Sequence, residues 1–253
     1  MTAPMFSRLQ DKISRNVLIS CDHGLMIVNR FDCNDQHVGH GRFLLDHGNA
    51  CSMEADICAR AITTASTPVI FDIGANIGAF TTWMSRAFPL GKIYAIEPQR
   101  QVFQMLCGNL AINNLFNVHA HNVAMGKDRA VIEVPEPDYS TPDDFGRFSL
   151  QEKRLQTTTS TIKVEIVTLD DFMAWHAIQD LSLLKIDAEG MDLEILAGAR
   201  ASIARFRPAI FIEYSDTTCN QLDDIQHFLN GYDYQYEVFA NNVLCWQTDL
   251  HGL

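Results

Sequence analysis

The 253-residue sequence predicts an α/β fold: a mostly parallel sheet with helices on both faces, ended by an antiparallel hairpin. Three observations carry this prediction. From about Thr67 onward, short β-rich runs alternate with stretches of helical spacing, the pattern of βαβ units. The runs are nearly continuous in apolar residues, as befits strands buried on both faces. The last two runs have no helix between them, only Ala240-Asn241-Asn242, and Asn tolerates positive φ, so they pair as a hairpin.

In chain order, residues 1–66 form an extension covering the substrate side, with a strand at Leu25–Asn29 and a helix at Met53–Thr64. Ser52 is placed to cap that helix, and Glu54 and Asp56 in its first turn suit the helix dipole. Residues 67–253 form the main domain. Its strands are Val69–Ile73, Lys92–Glu97, Val118–Val123, Leu181–Ile186 and Ala209–Glu213. Helical spacing appears in Phe103, Leu106, Leu110 and Leu115, in Leu193, Leu196 and Ala197, and in Leu222, Ile225, Phe228 and Leu229. Residues 126–168 are an insertion: a strand at Ala130–Val134, a polar stretch over 135–160, and an alternating strand at Thr161–Thr168. A connection of that length in a compact domain covers a site or moves. The hairpin strands are Tyr232–Phe239 and Val243–Trp246.

Composition narrows the function. With 47% hydrophobic and 20% charged residues the chain is globular. Lys plus Arg number 19 and Asp plus Glu 31, a net charge of −12 that disfavours a nucleic-acid partner. Seven scattered cysteines with no C-x-x-C, and an N-terminus without an apolar signal core, read as a cytoplasmic chain with free thiols. No apolar run is long enough to span a membrane.

The segment Val69–Thr81 runs from an apolar strand through Asp72 into a small-residue turn and a helix starting near Gly78. Such a turn presents backbone N–H groups at the carboxyl edge of the sheet, where α/β folds bind ligands. A dinucleotide fingerprint would place glycines where Gly74, Asn76 and Ala79 stand, and Asn76 obstructs the approach of a pyrophosphate. The next strand ends in Glu97, whose carboxylate can accept hydrogen bonds from both hydroxyls of a ribose. A nucleoside without phosphates, such as S-adenosylmethionine, suits Gly74, the small Ala75 and Glu97.

Three motifs in order then establish a resemblance: Asp72–Thr81 (DIGANIGAFT), Ala95–Pro98 (AIEP) and Leu183–Ala199 (LLKIDAEGMDLEILAGA). Together they resemble the FkbM family of S-adenosyl-L-methionine-dependent methyltransferases, over roughly residues 68–215. The resemblance implies a Rossmann-like class I methyltransferase fold, with a seven-stranded sheet whose last two strands form an antiparallel hairpin. It assigns Asp72, Gly74, Ala75, Asn76 and Gly78 to the cofactor loop and Glu97 to the ribose. Asn122, Val123 and Ala124 follow the third strand, where such enzymes contact adenine; Met125 packs on the purine or in the core. Glu54 resembles a glutamate preceding the core in this family.

Methyl transfer to a hydroxyl requires in-line positioning and removal of a proton. Lys185, Asp187 and Glu189 leave an apolar strand and share one face if the strand persists. Asp187 or Glu189 is then the base or a clamp for substrate hydroxyls, with Lys185 steering or pairing. The alternative is a structural Lys185–Asp187 ion pair with Glu189 solvated at a helix start. Glu213 ends the next strand and points toward the same crevice. His119 and His121 share a sheet face and read as satisfied structural histidines. Cys33, His37, His40 and His47 lack the paired spacing of a zinc site, so no metal is expected. The expected reaction is O-methylation of a small hydroxylated molecule: a sugar, glycolipid or polyketide-type acceptor. A cofactor-binding protein without transferase activity, or a protein methyltransferase, are the alternatives.

Overall fold

The computed structural model describes residues 15–32, 39–62, 65–149, 160–214 and 222–247. Their centre is a seven-stranded sheet. Its strands are β3 (Val69–Ile73), β4 (Lys92–Ile96), β5 (Val118–His121), β9 (Leu183–Ile186), β10 (Ala209–Glu213), β11 (Tyr234–Phe239) and β12 (Asn242–Gln247). They lie in the order β11-β12-β10-β9-β3-β4-β5. The five strands from β10 to β5 are parallel, and β12 pairs antiparallel with both β10 and β11. The expected fold class therefore holds, with the hairpin at one edge. Its two-residue turn takes positive φ at Ala240 (φ 51°), not at an asparagine.

Period-two alternation assigns each strand residue a side. Phe71, Ile73, Leu184, Ile186, Ile210 and Ile212 face one cluster with α5 (Leu169–Trp175), α6 (Asp192–Ala197), α7 (Arg200–Phe206) and α8 (Leu222–Leu229). Ile70, Leu183 and Phe211 face the other, with α2 (Ser52–Ala61) and α3 (Ala79–Ala87). The burial of Phe71, Ile70 and Ile210, each 0% exposed, explains why β3 and β10 carry no polar alternation. Asp72 and Lys185 also belong to the α2–α3 side of the sheet, and that placement builds the site.

The N-terminal segment adds a hairpin, β1 (Asn16–Cys21) with β2 (Gly24–Asn29), and a short helix α1 (His40–His47). Only β2 was expected there. Asn109 of α4 (Arg100–Ile112) holds the hairpin by accepting from Ile27 N and donating to Ile27 O. Ser52 does not cap α2; the cap position is Cys51 in the left-handed region (φ 58°), with no side-chain capping bond. The insertion forms a separate three-stranded sheet in the order β6-β8-β7, from β6 (Ala124–Met125), β7 (Ala130–Pro135) and β8 (Thr161–Val167). Between β7 and β8 a short 3₁₀ turn spans Phe145–Arg147. Part of the polar loop expected there, residues 150–159, lies outside the described residues, as do Cys33 and His37.

A buried carboxylate joins these two outlying segments. Asp32, 5% exposed, accepts from Gly41 N at the start of α1 (2.7 Å) and from Phe145 N in the 3₁₀ turn (3.1 Å). The N-terminal extension and the insertion thus meet over the carboxyl ends of the central strands. Met125 resolves as core, 2% exposed among the apolar residues of the first cluster. His119 and His121 stack against Tyr94, and His121 also meets the edges of Phe172 and His176, so both are packing residues.

Candidate active site

Strand register brings the charged residues together in two rungs. Asp72, Lys185 and Phe211 are mutual register partners on β3, β9 and β10. Two residues further on, on the same face, come Gly74, Asp187 and Glu213. In the first rung Lys185 Nζ lies 3.0 Å from Asp72 Oδ1, and it reaches up to Asp187 Oδ2 at 3.3 Å and Gly74 O at 3.3 Å. Thr81 Oγ1 of α3 donates to the other oxygen of Asp72 (2.5 Å). The Lys185 and Asp72 side chains are 8% and 0% exposed, so each ion is desolvated and each needs the other. Burial opposes the Lys185 cation, yet Asp72 and then Asp187 hold it firmly protonated. Lys185 ties β9 to β3 through Asp72, whereas the ion-pair alternative had placed it on Asp187 with Glu189 solvated.

The second rung is where chemistry can occur. Carboxyl oxygens of Asp187, Glu189 and Glu213 all lie within 4.8 Å of one another. Burial opposes ionisation of Asp187, but the Lys185 ammonium holds it below the usual carboxylate range. Glu213 is hydrogen-bonded to Asp187, and burial followed by the charge of Asp187 pushes it up to about 9. Such a coupled pair favours one proton between its two carboxyls, with the negative charge on Asp187 beside the Lys185 ammonium. Burial, then Asp187, pushes Glu189 up to about 7. Strand β9 ends at Ile186, so Glu189 does not share the face by alternation. It arrives through a turn with Glu189 at φ 48° and Gly190 at φ 96°. The three carboxyls could also hold a metal ion.

The loop after β3 bends sharply beside them. Gly74 has φ 80°, and a Cβ there would sit 1.8 Å from Asp187 O, so only glycine lets loop and strand end touch. Asn76 takes φ 50° and Gly78, which precedes α3, φ 91°. Glu97, 3% exposed, accepts from Asn76 N at 3.0 Å and Gln99 N at 2.8 Å. Burial nonetheless raises it to about 7. Its oxygens keep lone pairs for hydroxyl donors.

One cavity of about 290 Å³ connects these parts. Gly74, Asn76 and Glu97 line one part, and Lys185, Asp187, Glu189 and Glu213 another. Glu54 lines it as well. Asp72, Ala75 and Gly78, also expected at the cofactor, are not among its lining residues. Asn122, Val123 and Ala124 stand outside the cavity wall: Asn122 Nδ2 is spent on Glu97 O and Pro98 O, and Ala124 is 3% exposed and paired with Ile166. Absent from the expected set but present in the wall are His40, Cys51, Gln99, Asp144 and Arg147. His40 Nδ1 meets Asn76 Nδ2 at 2.7 Å, and His40 Nε2 meets Cys51 Sγ at 3.4 Å. Burial works against the His40 cation, but Cys51, Asp187 and Asp32 push it up to about 10.

The methyltransferase FkbM domain model matches residues 72–236, from the glycine loop into the C-terminal hairpin. The chain belongs to the FkbM methyltransferase family. It is 30% identical over 142 residues to Methyltransferase 1 of Beauveria bassiana (strain ARSEF 2860), covering 51% of this chain and 57% of that one. It is 26% identical over 207 residues to the 31-O-demethyl-FK506 methyltransferase FkbM of Streptomyces tacrolimicus, covering 72% and 78%. The chain thus spans less than two thirds of the first of these relatives. The crystal structure of a methyltransferase FkbM from Methylobacillus flagellatus matches with a TM-score of 0.52 at 20% identity, over 72% of this chain and 44% of that one. At that identity the match supports the fold.

Proposed function

We propose that this protein transfers a methyl group from S-adenosyl-L-methionine to a hydroxyl of a small molecule. One observation carries the reading: a single cavity has a buried Glu97 in one part and the proton-sharing Asp187–Glu213 pair in another. Glu97 fits a nucleoside, because two backbone N–H groups fix its oxygens and leave lone pairs for a ribose diol. Gly74, Asn76 and Gln99 would hold the rest of the cofactor, which supplies an activated methyl on a sulfonium.

The chain's own work is positioning and proton removal. Asp187 is anionic and faces the cavity, so it accepts the proton of the acceptor hydroxyl. Glu213, already protonated, donates a hydrogen bond that orients Asp187 or an acceptor oxygen. Lys185 holds Asp187 in place. The small-molecule hydroxyl acceptor draws support from the Streptomyces relative, named as a 31-O-demethyl-FK506 methyltransferase. A net charge of −12 favours such an acceptor over a nucleic acid. Cysteines 21, 51, 58, 107 and 245 are free thiols, in keeping with a reducing cytoplasm. No helix among the described residues is long and apolar enough to cross a membrane.

The test is transfer of isotope-labelled methyl from S-adenosyl-L-methionine to a panel of hydroxylated sugars and polyketides. Labelled product that vanishes in Asp187→Asn supports the reading. Cofactor binding with no transfer to any hydroxyl, amine or protein acceptor would leave a binding protein instead.

A further inference from the structure

Two outlying segments wall the cavity beside Glu97: the start of α1, with Gly39 and His40, and the 3₁₀ turn, with Gly146 and Arg147. Each reaches a residue that fixes Glu97. His40 Nδ1 meets Asn76 Nδ2 at 2.7 Å, and Asn76 N donates to one Glu97 oxygen. Phe145 O accepts from Gln99 Nε2 at 2.8 Å, and Gln99 N donates to the other Glu97 oxygen. Asp32 closes this circuit, with Oδ2 accepting from Gly41 N and Oδ1 from Phe145 N. It is buried and not among the lining residues, so it reaches the cavity through the two segments it joins. Parallel bonds reinforce the junction: Asp143 N donates to Phe31 O at 2.9 Å, and Asn29 Nδ2 to Tyr139 O at 3.0 Å. The wall is tight, since a Cβ on Gly146 would stand 2.9 Å from Asn76 Nδ2.

We propose that Asp32 is a positioning residue: its carboxylate latches the two segments into one wall that opens and closes as a unit over Glu97, admitting and releasing the ligand held there. That the ligand is S-adenosyl-L-methionine rests on the function proposed above; the latch does not. The cavity of about 290 Å³ sits at the low end of ligand pockets, which span about 300–1,000 Å³. A site for a nucleoside cofactor and an acceptor together needs room beyond that minimum, so the wall has to part as they enter. Burial raises the Asp32 carboxyl against its two N–H donors, so desolvation offsets part of what the latch gains. Such a junction releases locally while the sheet stays folded. Because both segments end on residues that fix Glu97, opening the latch loosens the acid from two sides.

The experiment is amide hydrogen exchange of the full chain, read residue by residue by NMR, joined to the rate of S-adenosylhomocysteine dissociation. In the unliganded wild type, the Gly41 and Phe145 amides should share one opening constant, larger than that of the β3 amides. Separate constants for the two, or the β3 constant for both, overturn the latch whether or not any variant folds. Asp32→Asn keeps one acceptor and turns an NH₂ toward the other N–H. It should raise both opening constants by about tenfold, the scale of a lost bond to a charged group. It should speed S-adenosylhomocysteine dissociation by a similar factor. Asp170 is the control, because it accepts from Ala201 N and Ser202 N at the start of α7 and is not a lining residue. Asp170→Asn should leave the opening constants and the dissociation rate unchanged, which separates positioning from a general loss of stability. Opening of one segment alone in Asp32→Asn, or dissociation unchanged from wild type, overturns the inference. A wild type that binds no S-adenosylhomocysteine sinks the cofactor reading alone, and the exchange data then decide the latch.

Discussion

Replacing Lys185 by methionine removes the cation that two carboxylates share. Nζ lies 3.0 Å from Asp72 Oδ1 and 3.3 Å from Asp187 Oδ2, and Asp72 is 0% exposed. Without the ammonium, Asp72 keeps the Thr81 hydroxyl as a side-chain donor and becomes a buried, uncompensated charge. Breaking one partner of a buried pair costs about 3–5 kcal/mol. For a chain of this size that lowers Tm by about 6–20 °C. The double change Asp72→Asn with Lys185→Met removes both charges, so it should be more stable than Lys185→Met alone by about 1–3 kcal/mol. Urea unfolding of the wild type, both single variants and the double variant gives the coupling directly. A loss below about 1 kcal/mol in Lys185→Met, or additive losses in the double variant, would refute the structural role of this lysine.

Other predictions concern the cavity. Gly74→Ala places a Cβ against Asp187 O and forces a left-handed backbone, so at least about 2 kcal/mol of stability should go; thermal unfolding unchanged from wild type would contradict that contact. Asp187→Asn should leave S-adenosylhomocysteine affinity unchanged and lower turnover by about a hundredfold, whereas full activity would move proton removal to Glu189 or Glu213. Burial raises Glu97 to about 7 from 4.5, so its contribution is fully present below the unfolded value and is lost as pH rises through about 7. Glu97→Gln should therefore gain stability relative to wild type between about pH 5 and pH 8, read from urea midpoints; a constant difference across that range is the opposing result.

How much was legible in the sequence follows from which residues repeat a pattern. Strands β3, β9 and β10 announced themselves because both of their faces are buried, leaving mostly apolar runs with acids at or near their ends: Asp72, Asp187 and Glu213. Glu97 was readable for the same reason, as the acid ending an apolar strand. The role of Lys185 needed the register, since only pairing places it opposite Asp72. Strand β1 and helix α1 were missed. Strand β1 exposes half its residues, and α1 is eight residues long with Gly41 in its first turn. His40 and Arg147 reach the cavity from two distant segments that Asp32 ties together across the fold, and Cys51 from a third. No local periodicity signals such a contact. The cap at Ser52 failed because Cys51 takes the left-handed conformation that starts the helix one residue earlier.

The most direct test is calorimetric titration of the wild type and of Glu97→Ala with S-adenosyl-L-methionine and S-adenosylhomocysteine. The wild type should bind both ligands at one site, and the variant should bind each more weakly by about 1.5–3 kcal/mol, the scale of hydrogen bonds to a charged group. Absence of binding to the wild type, or equal affinity in the variant, would contradict the assignment of Glu97 and the glycine loop to the cofactor.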